Sequence, residues 1–213
     1  MAASTPRLRT LLRRYTNLPA LIYLLRERRI TLVDPQTWDD SNDSHYLSVY
    51  RDKRKLKSVL ALCFTQASET YHHWRVFSNG SSGVCIEFKR KNLLMAVRGD
   101  RLRAGEVKYP TIRQLRSRQP HVRDLPFLKR HAFRDDMEFR MIYESAKRQV
   151  SKLDIPIHLS CINRITLSPW LNPAVASQVK RALWSTDGCG DLDIARSTLV
   201  SNEEWKDLGE AAP

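Results

Sequence analysis

The sequence predicts an α+β fold: a single mixed domain whose central, largely antiparallel sheet is flanked by helices. Three observations predict it. Residues 83–89 and 137–143 alternate apolar and polar side chains with the period of two that marks a strand. Residues 59–64 form a short unbroken apolar run, the pattern of a strand at the centre of a sheet. Leu18, Leu21, Ile22 and Leu25 recur at i, i+3, i+4, i+7, and Asn172-Pro173 is a helix-start signal, so helices are interspersed with the strands. No internal repeat or low-complexity linker divides the chain, and 213 residues suffice for one substantial core. The domain is expected over 7–205, with flexible ends at 1–6 and 206–213.

Each element has its own signal. Residues 8–15 mix arginines with leucines and read as a short helix or an opening strand. Thr16 or Asn17 caps the next helix, which has Pro19 in its first turn and runs to about Arg29. A strand over 30–33 stops at Asp34-Pro35. Residues 38–44, WDDSNDS, read as a loop of Asx-type turns, and a helix is expected over 45–57. Past the strand at 59–64, Tyr71, His72, His73, Trp74 and Phe77 form an aromatic and histidine cluster. A turn over 78–83 then feeds a strand with Val84, Ile86 and Phe88 on one face and Cys85, Glu87 and Lys89 on the other.

The second half continues in the same manner. A short helix is expected over 92–97 and a strand over 105–109, ended by Pro110. Residues 110–125 are arginine-rich with two prolines and read as a loop or loosely packed helix, the most mobile segment of the chain. A helix over 127–133 should lead into the strand at 136–143. Met137, Phe139, Met141 and Tyr143 share one face of that strand, and Asp136, Glu138 and Arg140 share the other. Two carboxylates and a guanidinium are too many charges for a strand packed on both sides, so that face is expected to border solvent or a polar cleft. Strands over 155–159 and 161–167 follow, and a helix runs from Pro173 to about Trp184. It breaks at Gly188 and Gly190 before a closing strand over 192–200.

Composition bounds the function. No run approaches the ~18 apolar residues that a membrane span needs, and no signal-peptide core opens the chain. Cys63, Cys85, Cys161 and Cys189 lack C-x-x-C spacing and read as reduced thiols of a cytoplasmic protein. The formal net charge of +13, concentrated before residue 135, raises nucleotide or nucleic acid as partners of a basic surface. No aromatic residues interleave with the basic runs as a base-stacking platform would require. No Walker A loop, G-x-G-x-x-G, G-x-S-x-G or H-E-x-x-H is present. His72 and His73 are adjacent, poor geometry for one metal, and the WDDSNDS loop lacks the glycine and closing glutamate of an EF-hand, so no metal site is assigned.

Glu138 is the strongest catalytic candidate. Asp136 would raise its pKa and Arg140 lower it, which suits an ionised electrostatic stabiliser or a base; a structural ion pair between strands is the other reading. Trp74, Phe77, Gly83-Val84-Cys85 and Phe88, followed much later by Asp136, Glu138-Phe139-Arg140, resemble the signature W-x-x-[YF]-x-x-x-x-x-G-V-C-x-x-F … E-x-E-[WYF]-R of a bacterial domain-of-unknown-function family. Arg14-Tyr15-Thr16, Trp38-Asp39-Asp40 and Cys63-Phe64-Thr65 fit its other segments. Phe77 stands where that family has tyrosine, Asp39 for asparagine, Thr65 for serine and Asp136 for glutamate.

The order of elements is also similar to the layout of ADP-ribosyltransferases, and this resemblance implies an NAD-dependent enzyme. The features that carry it are an early strand with Arg14-Tyr15-Thr16, the helix N-L-x-x-L-I-x-x-L-L, and a late strand glutamate after a long loop. It implies that Arg14 or Arg13 holds phosphate, that Tyr15 or Phe77 stacks nicotinamide, and that Glu138 stabilises the ribosyl cation. Thr16 and Trp74 complete the implied NAD-binding set, and Asp136 and Arg140 the catalytic one. Such a layout suits a toxin or defence effector. Two alternatives stand beside it: a non-catalytic basic module that holds nucleic acid or another anionic partner, and a magnesium-dependent nuclease built on Asp39, Asp40, Asp43, Asp136 and Glu138.

Overall fold

The structure, a computed structural model, describes residues 10–78, 80–99 and 101–212, so the expected flexible start at 1–6 lies outside the described residues. Strands and helices alternate along the first half of the chain, whereas three strands follow one another in the second. The first half contains β1 (Leu11–Asn17), α1 (Leu18–Glu27), β2 (Arg29–Val33), α2 (Ser41–Lys53), β3 (Ser58–Thr65), α3 (Tyr71–Phe77), β4 (Gly83–Lys89) and α4 (Arg90–Ala96). The second contains β5 (Leu102–Glu106), α5 (Ile112–Ser117), β6 (Glu138–Ser145), β7 (Lys152–Pro156), β8 (Ile162–Leu167), α6 (Pro173–Trp184), β9 (Ile194–Arg196) and α7 (Glu203–Glu210). The fold is α+β, and its sheet is antiparallel throughout except where β9 joins β8.

The sheet branches at β3. One edge of β3 pairs along its length with β6, from Ser58 opposite Ser145 to Thr65 opposite Glu138. The other edge is shared, with Ala61 opposite Val33 of β2 and Thr65 opposite Arg13 of β1. β1 continues into β4, β8 and β9; β5 closes the far side of β6, and β7 the far side of β2. Alternation along the strands then fills two faces. Leu60, Leu62 and Phe64 of β3 join Phe139 and Met141 of β6, Ile86 and Phe88 of β4, and Leu21, Leu24 and Leu25 of α1 in the main core. Each such side chain contributes about 1.5–3 kcal/mol by leaving water. On the opposite face, α2 covers Val59, Ala61 and Ile142 with Leu47 and Tyr50, and Trp74 of α3 covers Tyr15 and Cys85. No helix among the described residues is long and apolar enough to cross a membrane.

Several local expectations are corrected. α2 begins at Ser41 inside the WDDSNDS stretch, because the Asp40 side chain accepts from the backbone N–H of Asn42 and Asp43 and caps a helix there; it ends at Lys53. The helix expected over 127–133 does not form: 3₁₀ turns occupy Val122–Phe127 and His131–Asp136, and Leu128 bridges to Lys108. Pro126 within the first turn removes an N–H donor and helps to explain this. The cluster at 71–77 is helix α3, with Thr70 as its cap. In α1, Leu24 rather than Ile22 is buried. β5 lies at Leu102–Glu106 instead of 105–109, and the closing strand is only Ile194–Arg196. Residues 110–125 include α5, closed by a capping box between Thr111 and Gln114.

Candidate functional site

Directly paired residues of antiparallel strands share a face, so the registers place Glu87, Arg13, Thr65 and Glu138 in one row across β4, β1, β3 and β6. Two residues on, Arg140 lies opposite Cys63 on the same face. Of the two settings expected for this polar face, solvent or a polar cleft, open solvent is not the one found. α2 and the 122–129 segment cover it, and Arg140 is 0% exposed. Burial is tolerated because every charge there meets an opposite one.

The charges alternate in a chain. Arg140 grips Asp43 of α2 with two parallel bonds, Nη1 donating to Oδ1 at 2.8 Å and Nη2 to Oδ2 at 2.6 Å. Its Nε donates to Glu138 Oε1 at 2.7 Å, and Nη1 also to the Pro126 carbonyl at 2.9 Å. Lys129 bridges the next pair, with Nζ 3.5 Å from Glu138 Oε2 and 3.0 Å from Asp136 Oδ2. His72 Nε2 ends the chain at the surface, 3.6 Å from Asp136 Oδ1. Tyr109 accepts the backbone N–H of Glu138 on its hydroxyl at 2.7 Å, which fixes the start of β6. Met137, at φ 44, turns the chain between the Asp136 turn and that strand.

The electrostatics follow from burial and pairing. Burial alone would push the Glu138 carboxyl up, but Arg140 and then Lys129 outweigh it and hold the group below the usual glutamate range. Glu138 is therefore ionised at neutral pH while shielded from water. Burial works against the Lys129 ammonium, yet Glu138 and Asp136 leave its pKa raised. Cys63 lies against the same carboxylate, and burial first, then Glu138, push its thiol well above its ordinary value. It is consequently no nucleophile.

The residues named from sequence divide into three groups. Asp136, Glu138 and Arg140 come together as the core of the charge chain. Tyr15 shares their sheet face but is enclosed, its ring stacked on His73 at 5.5 Å and met edge-on by Trp74 at 5.1 Å. Trp74 is fully buried, and its indole N–H donates to Glu69. Phe77, 41% exposed and packed against His72 and His73, keeps a surface free. Arg14 and Thr16 point to the opposite face, where Arg14 Nη1 donates to the Cys63 carbonyl at 3.2 Å. Arg13, not Arg14, shares the face of Glu138; it is held by Glu87 at 2.6 Å and the Ala67 carbonyl at 2.7 Å.

Asp43 and Lys129 were missed as partners. Asp43 carries a signal in hindsight: Asp43, Leu47 and Tyr50 fall at helical spacing on one buried stripe, where a carboxylate needs a cation. A cleft of about 530 Å³ opens beside the charge chain, between the start of α2 and the 110–132 segment. Asp40, Asp43 and Tyr46 line one wall; Leu115, Lys129 and Arg130 line the other. Among the described residues, no three His, Cys, Asp or Glu side chains gather as a metal-ligand set. Of the five carboxylates of the nuclease alternative, Asp43, Asp136 and Glu138 each face a cation of this chain.

No family model matches the chain, and no curated protein matches its sequence. The motif resemblance is thus carried by the quoted residues alone. Among solved structures the chain is similar to Thermus sp. 2.9 DarT in complex with ADP-ribosylated ssDNA, at 10% identity and TM-score 0.49, over 92% of this chain and 98% of that one. It is similar also to DarT from the same source in complex with NAD+, at 11% identity and TM-score 0.47, over 91% and 98%. The complex with carba-NAD+ gives 10% identity and TM-score 0.46, over 90% and 97%. Likeness at these scores assigns no activity to this chain.

Proposed function

We propose that the protein is an NAD-dependent ADP-ribosyltransferase in which Glu138 is the reacting site's carboxylate. The observation that supports this is the state of Glu138: ionised, nearly buried, and fixed at the first residue of β6 by Arg140 and Tyr109. Cleavage of the bond between ribose C1′ and the nicotinamide nitrogen expels neutral nicotinamide and leaves an oxocarbenium-like ribosyl cation. A carboxylate stabilises that cation most where water is excluded and the charge is already in place. The acceptor's nucleophile then bonds to C1′ and gives up its proton to solvent. Arg140 is a positioning residue in this reading, since all three of its nitrogens are engaged by Glu138, Asp43 and the Pro126 carbonyl. The adjoining cleft is of the size that small ligands and cofactors occupy.

Glu138→Gln separates binding from turnover. NAD binding, read by calorimetry, is expected to persist, while nicotinamide release falls by roughly 10²–10³-fold, the usual cost of removing one transition-state stabiliser. Unchanged release from a folded variant contradicts the reading. A second reading is favoured by one observation: Arg113, Arg116, Arg118, Arg130 and Arg134 are all exposed along one stretch. A basic binding module of that kind would show oligonucleotide affinity that falls steeply with salt and ignores Glu138→Gln.

A further inference from the structure

Helix α7 is not covered by the rest of the described chain. None of its residues is buried; Trp205 is 79% exposed and Leu208 67%, and their spacing of three sets them on one face. A helix shorter than about twelve residues is marginal in water unless such a face is packed. Its first turn is nonetheless held in place: the Asn202 side chain accepts the Trp205 N–H at 2.9 Å, and Lys206 pairs with Glu203. The charge of α7 is the reverse of the chain's. Glu203, Glu204, Asp207 and Glu210 stand against Lys206 alone, in a chain of net charge +13. An acidic amphipathic helix fits an apolar groove with basic surroundings.

The same chain carries such a groove. Tyr46, Ile112, Leu115 and Leu128 line the cleft between α2 and the 110–132 segment, together with Lys129 and Arg130. Ile112 is 56% exposed, and α5, which carries it, buries no residue. Arg113, Arg116 and Arg130 are exposed and make no ion pair with a described residue. A copy's own α7 is out of reach of this cleft. The cleft adjoins the start of β6 through Lys129, whereas α7 follows β9, five strand spacings away, or about 24 Å. The connection from β9 is folded rather than extended: Ser197 is tied to Glu69, and the Ser201 N–H donates to the Thr198 carbonyl at 3.1 Å.

We infer that α7 docks in this cleft on a second copy of the chain, with Trp205 and Leu208 packing on Ile112 and Leu115 and the α7 carboxylates facing Arg113, Arg116 and Arg130. The contact is heterologous, since each copy offers one helix and one cleft. A cleft filled by a neighbour's α7 is closed to small ligands, so self-association would also limit entry to the space beside Lys129. That consequence rests on the function proposed above; the contact does not.

Sedimentation velocity on the full chain, without NAD, tests it. Wild type should associate as its concentration rises, and more weakly as salt screens the carboxylates from the arginines. Trp205→Ala removes the helix's largest apolar group, and Arg113→Glu with Arg116→Glu reverses the charge beside the cleft. Each should weaken association at least about tenfold, as loss of a central Trp or Arg does. All three positions are exposed, so the variants should keep the wild-type circular dichroism. Mixing the two variants decides the geometry: one still has a cleft and the other a helix, so the mixture should associate where neither does alone. A wild type that stays monomeric up to ~10⁻⁴ M overturns the inference, as does association that Trp205→Ala leaves intact. Association lost with Trp205→Ala but kept with the arginine variant would place α7 elsewhere than this cleft and overturn it too. Because sedimentation needs no NAD, a failed transferase reading would leave the contact standing.

Discussion

Arg140 shows how this protein can bury charge. Its guanidinium sits at zero exposure because Asp43, Glu138 and a carbonyl occupy all three of its nitrogens. Arg140→Met removes the cation and leaves two carboxylates buried without their main partner. A loss of about 3–5 kcal/mol in urea-unfolding free energy is expected; a loss below about 1 kcal/mol, the value of an exposed pair, would show that the network is solvated. The pH dependence has a definite sign. The Glu138 carboxyl is lowered in the folded state, so its contribution is present above the ordinary glutamate pKa and is lost as pH falls through the lowered value. Wild type should therefore lose more stability on acidification than Glu138→Gln, measured by urea midpoints at neutral and acid pH. Equal losses would contradict the assignment.

At the scale of the element, the strands were legible and their partners were not. Period-two alternation gave the faces of β4 and β6 correctly, since Val84, Ile86, Phe88, Phe139 and Met141 all reach the main core. Local capping chemistry gave α1 and α6, with Asn17 and Asn172 accepting from Ala20 and Ala174. The 127–136 stretch failed because its conformation is set by Lys108 and by the charges around Lys129, both remote from any local pattern. The partners that cover the polar face of β6 are hidden for the same reason: Asp43 lies 97 residues from Arg140, and nothing in a single sequence pairs them. Two element-level changes are diagnostic. Asn17→Ala should cost about 1 kcal/mol, the typical value of a helix cap. At Gly83 an added Cβ would lie 2.6 Å from Ser78 Oγ and 2.7 Å from Ser78 Cβ, where α3 hands over to β4. Gly83→Ala should thus cost about 1–3 kcal/mol in thermal or urea unfolding, as overpacking does; a neutral result would mean that the turn can give way.

Over the whole molecule, one core runs through both arms of the branched sheet. Strands β1, β2, β3, β4, β6 and β8 all feed it. Unfolding should accordingly be a single cooperative transition, seen at the same midpoint by far-ultraviolet circular dichroism and by tryptophan fluorescence; two separated midpoints would show that the arms on either side of β3 melt independently. The same architecture brings the row Glu87, Arg13, Thr65 and Glu138 across four strands and sets Glu138 beside the cleft, behind Lys129. Whether this carboxylate drives glycosidic cleavage of NAD is read from a proton NMR time course of NAD with wild type and Glu138→Gln. Free nicotinamide should accumulate with wild type and fall at least a hundredfold in rate with the folded variant, on the order expected for one lost stabiliser. Equal accumulation in both, or none with wild type, would mean that Glu138 does not stabilise a ribosyl cation.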